Sequence, residues 1–126
     1  MKIVFHKYQA TGNDFVVLDN RNGIYDGLSS HQIQFLCDRR FGIGSDGLML
    51  LQNKTGFDFE MVYYNSDGRP SSMCGNGGRC MVLFARDLGI HNFTYSFLAV
   101  DGPHEAEIDK DNIIRLKMQD VSEVKE

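Results

Sequence analysis

The run Met73-Cys74-Gly75-Asn76-Gly77-Gly78-Arg79-Cys80 sets a thiol beside a glycine-rich backbone. Met81, Val82, Leu83, Phe84, Ala85 and Leu88 follow, and together they predict a helix over residues 79–88. A helix with so little polar face must be surrounded by protein. The glycine run therefore sits immediately before a buried helix. Helix N-termini leave their first N–H groups without intrahelical acceptors and carry partial positive charge. Gly75, Gly77 and Gly78 let that backbone approach a ligand with no Cβ in the way, which makes a site for a carboxylate or other anion. The same field favours thiolate over thiol, so Cys74 is expected to titrate below ~8.5. A thiol poised near neutrality serves as base or acid. The chemistry this points to is proton abstraction from the α-carbon of an amino or hydroxy acid. Amides aimed at the carboxylate would hold the developing charge in the manner of an oxyanion hole. No pyridoxal-type lysine motif is present, so the expected cofactor is none.

The other chemistry-bearing residues have plainer readings. Cys37, inside an apolar helical stripe, and Cys80, one turn into the buried helix, read as small core hydrophobes. The spacing of Cys74 and Cys80 is not that of a zinc knuckle, and no metal site is expected. Taken by themselves, Asn13 and Asn65 fall in turns, where asparagine commonly serves backbone geometry. Gly42, Gly44 and Gly47 read as loop punctuation, since an isolated G-x-G is a weak nucleotide signal. His6, His31, His91 and His104 share no spacing.

The elements that must position these residues follow from periodicity. Residues 2–9 alternate as an opening strand, Thr11-Gly12-Asn13-Asp14 form a turn, and residues 15–19 form a short buried strand. Ser29 or Ser30 caps a helix whose inward face carries Ile33, Phe35, Leu36 and Cys37. It ends at Arg39-Arg40, cations suited to the negative end of its dipole. Strands are expected at 48–52, 57–64, 94–100, 104–109 and 113–118, paired antiparallel through turns such as Asp67-Gly68 and Asp101-Gly102. The fold class is α+β: a mostly antiparallel curved sheet wrapped around one buried central helix. Residues 119–126 start no new element.

The chain has 126 residues, a single ordinary domain by length. Hydrophobic residues make up 42% and charged residues 24%, enough for a packed core. A net charge of -4 offers no electrostatic footprint for nucleic acid or an anionic membrane, so neither is an expected partner. No apolar run reaches the ~18 residues of a membrane span. The opening residues turn polar too early for a signal peptide. Three cysteines without a secretion signal argue against a disulfide framework, and a cytoplasmic location is expected.

Four blocks, in this order, resemble diaminopimelate epimerases. They are Thr11-Gly12-Asn13-Asp14-Phe15, Arg39-Arg40-Phe41-Gly42-Ile43-Gly44-Ser45-Asp46-Gly47, Tyr64-Asn65-Ser66-Asp67-Gly68 and the Cys74 run. The resemblance covers essentially the whole chain. It implies cofactor-independent interconversion of LL- and meso-diaminopimelate, a step toward lysine and peptidoglycan. It also implies two similar halves, each a sheet around a central helix, and each giving one cysteine to the cleft between them. By position, Cys74 resembles the acid/base thiol of the N-terminal half. Asn13 and Asn65 match substrate-contacting asparagines, and Gly75 and Asn76 match backbone contacts to the substrate carboxylate. Some members carry a side-chain amide where this chain has Gly47, so that contact is expected to be absent or replaced by water.

The second cysteine of the family lies in a C-terminal Glu-Cys-Gly-Thr-Gly-type block, which has no counterpart here. Residues 1–126 are therefore expected to be the N-terminal domain of a longer enzyme, with the C-terminal half absent. One thiol cannot normally serve both faces of a stereocentre, so these residues alone are expected to be inactive. The partner expected is a small-molecule substrate, diaminopimelate, with the full-length form a homodimer. Two rivals stand beside this reading. One is a related isomerase acting on proline, hydroxyproline or a phenazine precursor; the other is a non-catalytic half-fold that only binds.

Overall fold

The computed structural model describes residues 2–71 and 75–117. The elements run β1 (His6–Ala10), β2 (Asn13–Asp19), α1 (Ser30–Cys37), β3 (Gly47–Gln52), β4 (Phe59–Asn65), β5 (Pro70–Ser71), α2 (Gly75–Asp87), β6 (Thr94–Ala99), β7 (Gly102–Ile108) and β8 (Ile114–Leu116). One sheet takes them in the order β1-β2-β3-β4-β6-β7-β8, with β5 beside β4. The expected α+β class and mostly antiparallel sheet hold. β2 with β3 and β4 with β6 are parallel, so the sheet is mixed. Each parallel pair is joined through a helix, as such crossovers require.

The two crossovers place their helices on opposite faces, and the topology explains why. Both step across the sheet in the same direction, but β4 runs opposite to β3. A shared right-handed crossover then puts the second helix on the other face. The packing agrees. Phe15, Val17, Met49, Leu51, Phe59 and Met61 cluster with Met81, Val82, Phe84 and Ala85 of α2. The alternate residues Val16, Leu18, Leu48 and Leu50 cluster with Ile33 and Cys37 of α1. Strands covered on both faces read as continuous apolar runs, as β2 and β3 do.

The sheet curls until both of its edges reach α2. From β1, the rings of His6 and Tyr8 lie 5.3 and 5.6 Å from that of Phe84, and the Tyr8 hydroxyl donates to Asp87. Burial, then the Asp87 hydrogen bond, holds the Tyr8 phenol well above its ordinary range. From the far edge, Ile114 and Leu116 join the same cluster. The central-helix expectation is met, although Arg79 and Asp87 keep a narrow exposed stripe. No described helix is long and apolar enough to cross a membrane.

Several local expectations are corrected. Residues 2–5 lie outside the opening strand, and Asn13 begins β2 rather than closing the turn before it. In α1, Ser29 is the cap: its hydroxyl accepts from the Gln32 amide at 3.1 Å, while Gln32 Oε1 accepts from the Ser29 N–H at 2.8 Å. Phe35 is 57% exposed, so the inward face is Ile33 and Cys37 with Leu36 packed partly buried beside them. The helix stops at Cys37 with no basic residue in its last turn. Arg39 reaches across to strand-end carboxylates instead of serving the dipole. Part of the last expected strand, Met118, and residues 119–126 lie outside the described residues.

Candidate active site

The glycine-rich loop after α1 closes the helix rather than holding a nucleotide. The N–H groups of Ile43 and Gly44 donate to the Leu36 carbonyl at 2.9 and 3.1 Å, and that of Ser45 donates to the Cys37 carbonyl at 3.0 Å. These bonds satisfy carbonyls that the helix end leaves open. Gly42 is needed for the approach, since a Cβ there would sit 2.0 Å from the Phe35 carbonyl oxygen. The loop ends by delivering Asp46 to the start of β3.

Strand register then gathers the expected binding residues at one end of the sheet. Phe15 pairs with Gly47, and Gly47 pairs with Asn65. The start of β2, the start of β3 and the end of β4 thus lie side by side. Strand alternation turns Asn13 and Asn65 toward the face that carries α2, as Phe15 and Met61 of the same parity confirm. The first turn of α2 meets Asn13 there: Asn76 Nδ2 donates to Asn13 Oδ1 at 2.7 Å. Of the expected site residues, strand register sets Asn13 and Asn65 at one end of the sheet, and the hydrogen bond brings Asn76, next to Gly75, to Asn13. Cys74 lies outside the described residues. The Asn65 side chain is exposed and has no hydrogen-bond partner among the described residues.

The glycine run proves to be the opening turn of α2 itself, which starts at Gly75, and not a loop ahead of it. That shift strengthens the electrostatic case. The first-turn amides of a helix lack acceptors within it and point outward, and no acidic residue stands in this turn. Arg79 adds charge, its Nη1 lying 3.5 Å from where a Gly75 Cβ would be. A helix start exposed at Gly75 but buried at Gly77 and Gly78, a guanidinium and two side-chain amides suit a ligand with carboxylate and amine groups.

A network of charges unforeseen in the sequence braces Asn13. Arg39 donates to both carboxylate oxygens of Asp14, at 2.7 and 3.1 Å, and to Asp46 Oδ1 at 3.1 Å. Lys7 donates to Asp14 Oδ2 at 3.0 Å. Asp46 Oδ2 accepts from the Asp14 N–H at 3.0 Å and from Asn13 Nδ2 at 3.2 Å. The Arg39 hydrogen bonds hold the Asp14 carboxyl well below the usual carboxylate range. Only the sequence neighbourhood of these residues, all inside or beside the quoted blocks, could have pointed to them.

Gly47 opens β3 and so stands in a strand, not in the loop before it. The space beside Gly47 is occupied by Tyr63, whose ring Cε1 and hydroxyl would lie 2.5 and 2.9 Å from a Cβ there. That ring is half-buried and meets Phe15 edge-on at 5.9 Å. Cys37 and Cys80 are core residues, 3% and 0% exposed, as expected. Burial pushes the Cys37 thiol up, away from reactivity.

The family model of diaminopimelate epimerase matches residues 5–124. The chain is 56% identical over 119 residues to the diaminopimelate epimerase of Flavobacterium psychrophilum, covering 94% of this chain and 46% of the relative. It is 48% identical over 109 residues to that of Chlorobaculum tepidum, covering 85% of this chain and 42% of the relative. The chain thus spans about half the length of the curated relatives it matches. Among solved structures it resembles a phenazine biosynthesis protein of the PhzF family from Bacillus anthracis, with TM-score 0.65 and 18% identity. That match covers 90% of this chain and 39% of the other. A second PhzF-family structure, from Enterococcus faecalis, gives TM-score 0.61 at 13% identity, over 84% and 41% of the two chains. These likenesses speak for the fold, a curled sheet with its central helix. The curated relatives carry the rest: the chain belongs to the diaminopimelate epimerase family.

Proposed function

We propose that residues 1–126 form the N-terminal domain of a cofactor-independent epimerase that interconverts LL- and meso-diaminopimelate in the cytoplasm, as a homodimer in its full-length form. Cys74 is the acid/base thiol for one face of the α-carbon, and a thiol from the other half serves the opposite face. Asn13 and Asn65 hold the substrate, and the Gly75 and Asn76 amides take its carboxylate. The single observation that carries this reading is the hydrogen bond from Asn76, in the first turn of α2, to Asn13, at the end of the sheet where strand register also sets Asn65.

The chemistry follows from that arrangement. Removing an α-proton sends negative charge onto the carboxylate, and donors fixed in advance stabilise it without reorganisation. The helix start supplies such donors next in sequence to Cys74. The base takes the proton from one face while the opposite thiol delivers one to the other. These residues alone, with one such thiol, do not epimerise.

Proton exchange into heavy water, followed by NMR with the complete chain, tests the substrate assignment. Diaminopimelate should lose its α-proton signal, while proline and hydroxyproline keep theirs. Faster exchange of proline than of diaminopimelate would defeat the assignment.

A further inference from the structure

We propose that Asp46, held by Arg39, is a positioning residue that fixes which way the Asn13 amide faces and so aims its remaining N–H at the substrate. The inference rests on the reading of Asn13 as a substrate contact. An asparagine amide presents an acceptor on one side and a donor on the other, with nearly the same shape either way. Its orientation is set by its neighbours.

Asp46 imposes the answer, and Asn76, whose own amide can turn either way, follows it. An ionised carboxylate only accepts, so Asp46 Oδ2, 3.2 Å away, must face the Asn13 NH2. On the other side, the Asn76 NH2 donates to the Asn13 oxygen at 2.7 Å. A flipped Asn13 would set its oxygen against the Asp46 carboxylate. Asp46 cannot turn away, because Arg39 holds Oδ1 and the Asp14 N–H holds Oδ2. Its own N–H is tied to the Asp14 carbonyl oxygen at 3.0 Å and to Asp14 Oδ1 at 3.1 Å. One N–H of Asn13 is left without a partner among the described residues, on the face that carries α2.

The test combines kinetics with side-chain amide NMR on the complete chain. Asp46→Ala should lower kcat/KM for diaminopimelate roughly tenfold to a hundredfold, mainly through KM, because a misaimed contact weakens binding and alignment. In an Asn13→Ala background the same substitution should change kcat/KM less than about twofold, since Asp46 acts through Asn13. A purely structural Asp46 would instead lower both backgrounds by the same factor, which overturns the proposal. In the unsubstituted protein, one proton of the Asn13 NH2 should exchange more slowly than its twin. Two equally fast protons would also overturn it, whether or not Asp46→Ala folds. A chain that exchanges no diaminopimelate proton at all would defeat the substrate reading, and the amide measurement would still decide the positioning claim.

Discussion

Replacing Gly47 by alanine should destabilise the protein by about 2 kcal/mol, within the usual range for overpacking. The new methyl carbon would stand 2.5 Å from Tyr63 Cε1, 2.9 Å from its hydroxyl and 2.8 Å from the Tyr64 carbonyl oxygen. The first two contacts belong to a side chain that can turn, but turning it costs the edge-on contact with Phe15. The third belongs to the backbone of β4 and gives way only if the pairing of β3 with β4 shifts. For a domain of this size, such a loss lowers Tm by roughly 6–12 °C. Urea denaturation should show a lower midpoint at unchanged slope. Gly47→Ala combined with Tyr63→Ala should cost less than the sum of the single changes, by about 1 kcal/mol, because the ring clash is gone. The carbonyl contact remains, so relief should be partial. A loss under about 0.5 kcal/mol, or strictly additive single changes, would refute the steric argument.

Phe84→Ala removes a ring that is 1% exposed and lies against His6 and Tyr8, so it should cost about 3–5 kcal/mol; a loss near 1 kcal/mol would contradict the closed sheet around α2. The Asp14 carboxyl is held below its ordinary range, so its contribution is complete above ~3.9 and is lost as pH falls below that value. Asp14→Asn should therefore flatten the acid limb of stability against pH, and an unchanged limb would tell against the Arg39 clamp. A maleimide should modify Cys74 in a fast phase that Cys74→Ser abolishes, because Cys37 and Cys80 are buried; fast labelling that survives the substitution would count against it.

Features governed by neighbours in sequence were legible there. The Ser29 cap, the apolar run of α2 and the strand at residues 48–52 rest on contacts within a few residues, and each took its expected place. Features set by distant partners were not. The parallel pairing of β2 with β3 depends on a crossover through α1, although their unbroken apolar runs carried a hint. Phe35 fits an inward stripe by type, yet the core cluster under α1 takes Ile33, Leu36 and Cys37 and leaves Phe35 exposed. Arg39 looked like a dipole partner because Asp14 and Asp46 come near it only in the folded sheet. The same holds at Gly47, whose space is filled by a residue from the next strand. At the site, Asn13 and Asn65 read singly as turn residues; register set both at one end of the sheet, and a hydrogen bond tied Asn13 to the start of α2.

The central claim is that this chain carries one half of a two-base site. Its most direct test is epimerisation of LL-diaminopimelate in heavy water, by the complete chain and by residues 1–126 alone, with product read by chiral chromatography and mass. The complete chain should yield singly deuterated meso-diaminopimelate, Cys74→Ala should lose that product, and the isolated residues should form none. Formation of the meso isomer by residues 1–126 alone, or undiminished turnover by Cys74→Ala, would contradict the central claim.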